Sequence, residues 1–376
     1  MYTPYLVEDV KKSSSRKLFS VISCFAGGGG SSTGYRLAGA DILLINEFVE
    51  EAIETYTKNF PDTPVLIDDI KKYSAEDFLE KAGIKKGELD ILDGSPPCSA
   101  FSVAGKREKG WGKEKSYSDG KMQVAIEDLF YEFIRIAEGI QPKVIVAENV
   151  KGITFGEARS KLHAFCNEFE KIGYDVTYQV MNAADFGVPQ GRERTIFICV
   201  RNDITEKSGH NFLTLNGVFP SRTVEQYATI SDAIDGIDND PEEVQMLLDY
   251  VQGSFQKKFL EPLPFNPPKH SKPSDPEHRS WNPKGSCFNM IRPSPLMPSP
   301  TLTQQGQKKG LSGVFHYAEN RKLTIKEMKR IMGLPEDFIL TGTFDQQAER
   351  IGRMVAPIMM QHVAESIYEN ILRKVK

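Results

Sequence analysis

Short apolar runs alternate with amphipathic stretches through the first two hundred residues. Strand-like runs fall at residues 18–24, 42–46, 65–67, 89–93, 144–147, 176–181 and 195–200. Helix-like stretches lie between them, among them 49–59, 124–139 and 158–172. Strands alternating with helices predict an α/β fold built on a doubly wound, mostly parallel sheet. The pattern breaks after Arg201. Residues 231–250 hold seven acids and no base, and residues 262–300 hold eleven of the 22 prolines. A proline-rich stretch is a poor candidate for regular structure, so a smaller, loop-rich second domain is expected. Helical periodicity returns at 324–332 and 355–373, and the last helix is expected to pack back on the first domain. The boundaries so drawn are 1–201, 202–322 and 323–376.

Length and composition narrow the class. A chain of 376 residues is long enough for two domains. Hydrophobic content of 40% and charged content of 26% are those of a soluble globular protein. The longest apolar runs are far too short to span a membrane. The first seventeen residues are polar and lack an export signal. Five widely spaced cysteines show no metal-like clustering, which suits free thiols in a reducing cytoplasm. With a net charge of −4, any nucleic-acid surface has to be a local patch.

The first strand runs into Phe25-Ala26-Gly27-Gly28-Gly29-Gly30. Glycines let a backbone turn sharply and approach a ligand, though such loops serve many ligands and some serve none. Glu47 follows the second strand, where a ribose-binding acid is expected. Asp68-Asp69-Ile70 follows the third, where an acid can accept from an adenine amino group. Each acid alone reads equally as a solvated loop charge. Together, beside the glycine loop, they favour an adenosine-containing ligand.

Cys98 sits in Ser95-Pro96-Pro97-Cys98-Ser99-Ala100-Phe101-Ser102, directly after a short apolar strand. The prolines fix φ and aim the sulfur; a buried, inert thiol is the plainer alternative. Glu148 closes the strand at 144–147, either as a used acid or as a core hydrogen-bonding group. Arg192 and Arg194 enter the strand at 195–200 and point to one face, or form a surface charge cluster. One chemistry uses Cys98, Glu148 and Arg194 together. A thiolate adds to C6 of cytosine and makes C5 nucleophilic, an acid holds N3, and an arginine binds O2. A methyl sulfonium donor then alkylates C5.

The chain resembles the DNA cytosine-5 methyltransferase family over nearly its whole length, in that family's motif order. Phe25 through Gly30 resembles the cofactor loop. Glu47 and Asp69-Ile70 resemble the ribose and adenine contacts, and Pro97-Cys98 with Phe101-Ser102 the nucleophile motif. Glu148-Asn149-Val150 and Gln190-x-Arg192-x-Arg194 resemble the base-holding motifs. Residues 300–303 resemble the segment that orders the recognition domain, and residues 321–324 and 333–338 the stretch before the final motif. The resemblance implies S-adenosyl-L-methionine as cofactor, held by Phe25, Ala26, Gly27, Gly29, Gly30, Glu47, Phe48, Asp69, Ile70, Pro97, Leu129, Arg353 and Val355. It implies Cys98, Glu148, Arg192 and Arg194 as catalytic residues, and no metal.

Two positions depart from the family pattern. The final motif reads Gly352-Arg353-Met354-Val355, with Arg353 where the family has asparagine. Arg353 then either pairs with the donor's methionine carboxylate or is an exposed arginine. Glu127-Asp128 precede Leu129-Phe130, where Arg-Gly is usual, so a phosphate contact has to come from Lys121 or Arg107.

Residues 103–122 carry four glycines and six Lys/Arg against three acids. They read as a loop that closes over substrate, or as a plain surface loop. DNA contacts are expected from Ser102, Lys106, Arg107, Lys121, Asn149 and Gln190, and from Lys269 and Arg279 in the second domain. The reading is methylation of cytosine C5 in a short double-stranded DNA site, on a flipped-out base. The expected protein is a monomeric, cytoplasmic prokaryotic or phage modification enzyme. No regulatory domain is expected before residue 18, and a restriction endonuclease encoded separately is an expected partner. A tRNA cytosine-5 methyltransferase and a catalytically inactive DNA-binding homologue are the rivals. A nicotinamide oxidoreductase would leave Cys98 and the arginine pair unused.

Overall fold

The computed structural model describes residues 3–96, 115–116, 122–123, 126–156, 158–211, 213–253, 257–260, 290–309 and 312–376. The chain forms two compact units. One comprises Glu8–Met181, Glu193–Ser221 and Met360–Lys376; the other comprises Met1–Val7, Asn182–Arg192 and Arg222–Met359.

The first unit is built on a seven-stranded sheet. Its strands are β1 (Phe19–Cys24), β2 (Ala40–Asn46), β3 (Val65–Leu66), β4 (Ile91–Gly94), β5 (Val144–Val150), β6 (Tyr174–Asn182) and β7 (Glu193–Arg201). Their spatial order is β3-β2-β1-β4-β5-β7-β6. The pairs β1–β2, β2–β3, β1–β4 and β4–β5 are parallel, and β7 runs antiparallel to β5. The sheet is therefore mostly parallel, as the alternating pattern predicts. The strand order reverses between β1 and β4. In such sheets that is where ligands bind, at the carboxyl ends of the strands.

The buried sides explain the uninterrupted apolar runs. Val144, Ile145, Val146 and Ala147 are all fully buried, as expected of a parallel strand covered on both faces. Helix Ile126–Ile140 buries Leu129, Phe130, Phe133, Ala137 and Ile140, which recur at helical spacing. Phe130 stacks on Phe165 of helix Ala158–Lys171, with centroids 3.6 Å apart and planes 10° apart. Gly94, the last residue of β4, lies against Phe133, so a Cβ there would enter the aromatic ring. From the last helix, Tyr368 stacks on Phe19 and the Ser366 hydroxyl donates to the Val218 carbonyl at 2.7 Å.

The second unit is more regular than its composition suggests. The acidic stretch contains helix Pro241–Gln252. The Asp240 carboxylate caps the Glu242 amide at 3.0 Å, Pro241 stands at the first turn, and Glu242 and Glu243 follow it. Acids placed there complement the helix dipole at its start. The proline-rich residues 262–289 lie outside the described residues. Short parallel ladders join Met290–Ile291 to Gly313–Val314 and Ser299–Pro300 to Gln190–Gly191.

Residues 321–324 form a buried cap. The Thr324 hydroxyl accepts from the Glu327 amide, and the Glu327 carboxylate accepts from the Thr324 amide, at the start of helix Ile325–Met332. Arg321, 2% exposed, donates to Glu327 at 2.7 Å and to Glu319 at 3.0 Å. The buried carboxylate is thereby matched by a cation, without which burial would be costly.

Gly94→Ala tests the packing at the end of β4. We expect overpacking against Phe133 to cost about 1–3 kcal/mol, measured by chemical denaturation. Gly217→Ala is the control: a Cβ at Gly217 meets nothing within 4 Å, and its stability should match wild type.

Candidate active site

The site begins where β1 ends. Phe25, Gly27 and Gly29 take positive φ angles of 54°, 55° and 95°, and helix Gly30–Leu37 starts directly after them. At Gly29 a Cβ would stand 3.0 Å from the Tyr56 ring as well, so both backbone and space call for glycine. Glu47 holds this loop from the end of β2. Its carboxylate accepts from the amides of Gly27 at 2.7 Å, Phe48 at 2.8 Å and Val49 at 2.9 Å. Asn46 extends the tie. Its amide donates to the carbonyls of Leu66 at 3.0 Å and Asp68 at 2.9 Å, linking β2 to the segment after β3.

A hollow opens over these strand ends. It is lined by Phe25, Asn46, Glu47, Phe48, Asp69, Ile70 and Leu129. Aromatic and aliphatic walls suit a flat heterocycle, and two carboxylates suit hydroxyl and amino donors. These walls and acceptors fit an adenosine-containing group. Six of the positions expected from the sequence line the hollow. Ala26, Gly27, Gly29 and Gly30 form the loop beside Glu47. Asn46 was missed, because a strand-end asparagine belongs to no quoted motif. Pro97 lies outside the described residues.

Arg353 and Val355 belong to the second unit. Val355 is buried there, and Arg353 pairs with Glu349 at 2.5 Å, one turn back on the same helix. Lys308 reaches the same carboxylate at 2.5 Å.

The second cluster stands on β5 and β7. The ladder sets Glu148 opposite Ile196 and Arg194 opposite Val150. Glu148 and Arg194 are thus diagonal neighbours on one face, and Arg194 Nε donates to Glu148 Oε1 at 2.8 Å. Their side chains are 13% and 12% exposed, so the pair is nearly dry yet reachable. Burial draws the Arg194 guanidinium below its ordinary range, and the Glu148 carboxylate opposes that shift.

Beside them lies an acid that the sequence reading absorbed into the strand. Asp93 of β4 is 1% exposed. It accepts from the Ser23 hydroxyl at 2.7 Å and from the Tyr35 hydroxyl at 3.1 Å. Burial pushes its carboxyl up to about 7; the two hydrogen bonds pull it down, and the charge on Glu148 adds to the rise.

Three of the five cysteines are described: Cys24, Cys166 and Cys199, all buried and free. Burial pushes Cys166 up to about 12 and pushes Cys24 and Cys199 well above the ordinary thiol range. None of the three is a nucleophile at neutral pH. Cys98 lies outside the described residues.

The other expected contacts divide. Arg192, 1% exposed, donates to the carbonyls of Leu302 at 2.9 Å, Gly352 at 3.0 Å and Met354 at 2.6 Å. Gln190 is fully buried. Its amide donates to the Ile331 carbonyl at 3.3 Å and accepts from the Leu302 amide at 3.0 Å. Gln190 and Arg192 therefore form a clasp inside the second unit. Asn149 is 2% exposed, with its side-chain oxygen on the Val150 amide. Its amide nitrogen has no hydrogen-bond partner among the described residues. Ser102, Lys106, Arg107, Lys121, Lys269 and Arg279 lie outside the described residues. Among the described residues no helix is long and apolar enough to cross a membrane, and no group of three or more His, Cys, Asp or Glu could hold a metal ion.

Comparison with known proteins places this architecture. The family model for C-5 cytosine-specific DNA methylases matches residues 19–369. The chain is 32% identical to the type II methyltransferase M1.HphI of Haemophilus parahaemolyticus, over 92% of this chain and 86% of the relative. It is 30% identical to the type II methyltransferase M.Bsp6I of a Bacillus species, over 94% of this chain and 100% of the relative. Among solved structures, a protein described as a DNA modification methyltransferase encoded within an Escherichia coli prophage superposes with a TM-score of 0.67 at 22% identity. That match covers 94% of this chain and 99% of the other. A DNMT2 mutant from Spodoptera frugiperda superposes with a TM-score of 0.60 at 16% identity, over 93% and 99%. These two structures bear on the fold alone. The sheet order, the strand-end acids and a family match over almost the full length agree: this chain belongs to the C-5 cytosine-specific DNA methylases and is a DNA cytosine methyltransferase.

Proposed function

We propose that the protein methylates C5 of one cytosine within a short double-stranded DNA sequence, as the modification partner of a separately encoded restriction endonuclease in a bacterial or phage-infected cell. The observation that carries this reading is the Glu148–Arg194 pair at the ends of β5 and β7. Cytosine presents O2 and N3 as acceptors and its exocyclic amine as a donor. A guanidinium donates to O2, and a neighbouring carboxyl serves N3 and the amine. In a stacked duplex this edge is engaged with guanine, so the base has to leave the helix to meet the pair.

Cys98 is the nucleophile in this reading. Its thiolate bonds to C6, and the C5–C6 electron pair becomes nucleophilic at C5. Glu148 holds N3 and stabilises the charge that develops there, while Arg194 binds O2. After alkylation, C5 loses its proton, the C6–sulfur bond breaks and the ring is restored. S-adenosyl-L-methionine, when bound, supplies the electrophilic methyl group. Glu47, Asp69, Phe25, Phe48, Ile70 and Leu129 would hold it, with Glu47 also fixing the glycine loop. The burial of Cys24, Cys166 and Cys199 supports this assignment, since it excludes three of the five thiols.

The test is methyl transfer from labelled cofactor to mixed-sequence duplex DNA and to tRNA, followed by bisulfite sequencing. Methylation at C5 within one recurring duplex sequence is expected, and Cys98→Ala should abolish it. Methylation of tRNA alone, or full activity in Cys98→Ala, would overturn the reading. Glu148→Gln should lower the single-turnover rate by about 10²–10⁴-fold. In Glu47→Gln one oxygen becomes a donor facing backbone amides, so KM for the cofactor should rise about tenfold, a loss of about 1.4 kcal/mol. The rate at saturating cofactor should stay near wild type.

A further inference from the structure

A row of polar groups crosses one face of the sheet in the first unit. Ser23 is in register with Asp93, and Asp93 with Val146. Register partners on parallel strands point to the same face, and Glu148, two residues beyond Val146, points there too. Arg194 joins Glu148 from β7. Among the described residues, the row thus carries two carboxyls and one guanidinium. With all three ionised it bears one uncompensated negative charge in a dry environment, which is costly. The row is neutral only when one carboxyl holds a proton.

The geometry decides where that proton rests. Glu148 has the guanidinium at 2.8 Å. Asp93 has only hydroxyl donors: Ser23 from β1 and Tyr35 from helix Gly30–Leu37. The other titratable groups that act on it are the Cys24 thiol of β1 and Glu148 of β5, with Arg194 of β7 beyond. No cation faces Asp93 directly among these. The proton of the resting row therefore sits on Asp93, in line with a carboxyl pushed up to about 7.

We propose that Asp93 is a positioning residue for Glu148: it takes over the negative charge of the row when Glu148 holds a proton against cytosine N3. This rests on the role proposed above for Glu148. The row keeps one proton throughout; Asp93 gives it up as Glu148 gains it, and the net charge does not change. Asp93 touches neither base nor cofactor in this scheme. It acts only through the neighbouring carboxyl, by the mutual influence of two acids with one proton between them.

The test compares wild type, Asp93→Asn and Tyr35→Phe in single-turnover methyl transfer at saturating duplex DNA and cofactor, across pH 5.5 to 9.5. In Asp93→Asn no second carboxyl is present to take the charge, so Glu148 keeps its proton less readily at high pH. The alkaline limb should move to lower pH by about one unit, with the rate at low pH retained within several-fold. Tyr35→Phe removes a donor that favours ionised Asp93, and should shift the limb in the same direction by less. Superimposable profiles, or a loss equal at every pH, would overturn the proposal.

A second readout needs no substrate. Wild-type Asp93 keeps its proton to about pH 7, while an unfolded aspartate releases it near pH 4. Between those values the folded state binds more protons, so this group makes stability fall as pH rises through the window, with no further change above it. The thermal midpoint of Asp93→Asn should therefore fall less than that of wild type between pH 4.5 and 7.5. Identical midpoint curves would also overturn the proposal. If wild type methylates no cytosine at all, the role of Glu148 fails first and this inference with it. If wild type is active and the variants match it, only the part assigned to Asp93 fails.

Discussion

A carboxylate removed from water has to be matched by a cation, by donors or by a proton, and the described polar architecture follows from how each one is matched. Glu47 is matched by three backbone amides, which makes it the organiser of the glycine loop. Glu148 is matched by Arg194, and Glu327 by Arg321. Asp93 has two hydroxyls and, among the described residues, no ion-pair partner, and burial pushes its carboxyl up to about 7. One electrostatic constraint is thus met in three ways: by amides at Glu47, by arginines at Glu148 and Glu327, and by a raised carboxyl at Asp93.

The antiparallel β7 strand makes the Glu148–Arg194 pair possible. In a wholly parallel sheet, the residue beside the end of β5 would come from another strand's carboxyl end. Here the amino end of β7 arrives instead, and it brings the arginine two residues into the strand. That reversal sets Arg194 diagonally across from Glu148 and leaves the pair at the same edge as the glycine loop and Asp93. Desolvation then strengthens an interaction that would be weak in open solvent.

Much of this was legible from the chain. Apolar runs marked all seven strands, most plainly the central ones, which are buried on both faces. Strand-end acids beside glycines marked Glu47 and Asp69, and both line one hollow at the ends of the strands. The illegible parts have physical reasons too. Asp93 reads as a strand residue, and only the register shows it facing Ser23 and the Glu148 side of the sheet. Asn46 works through backbone carbonyls that no side-chain pattern reports. Arg353 departs from the family pattern, and its partner Glu349 stands four residues back, a spacing that could have been read as an ion pair. The acids after Asp240 open a helix, which Asp240-Pro241-Glu242-Glu243 does encode.

The clasp of Gln190 and Arg192 bears on how such a protein diversifies. Two neighbouring side chains gather residues 302, 331, 352 and 354 through main-chain atoms. Main-chain acceptors are indifferent to the side chains around them. Substitutions at 302, 331 and 354 therefore leave the acceptors of the clasp in place. The closure of the second unit is in this way uncoupled from the identity of the side chains at those three positions.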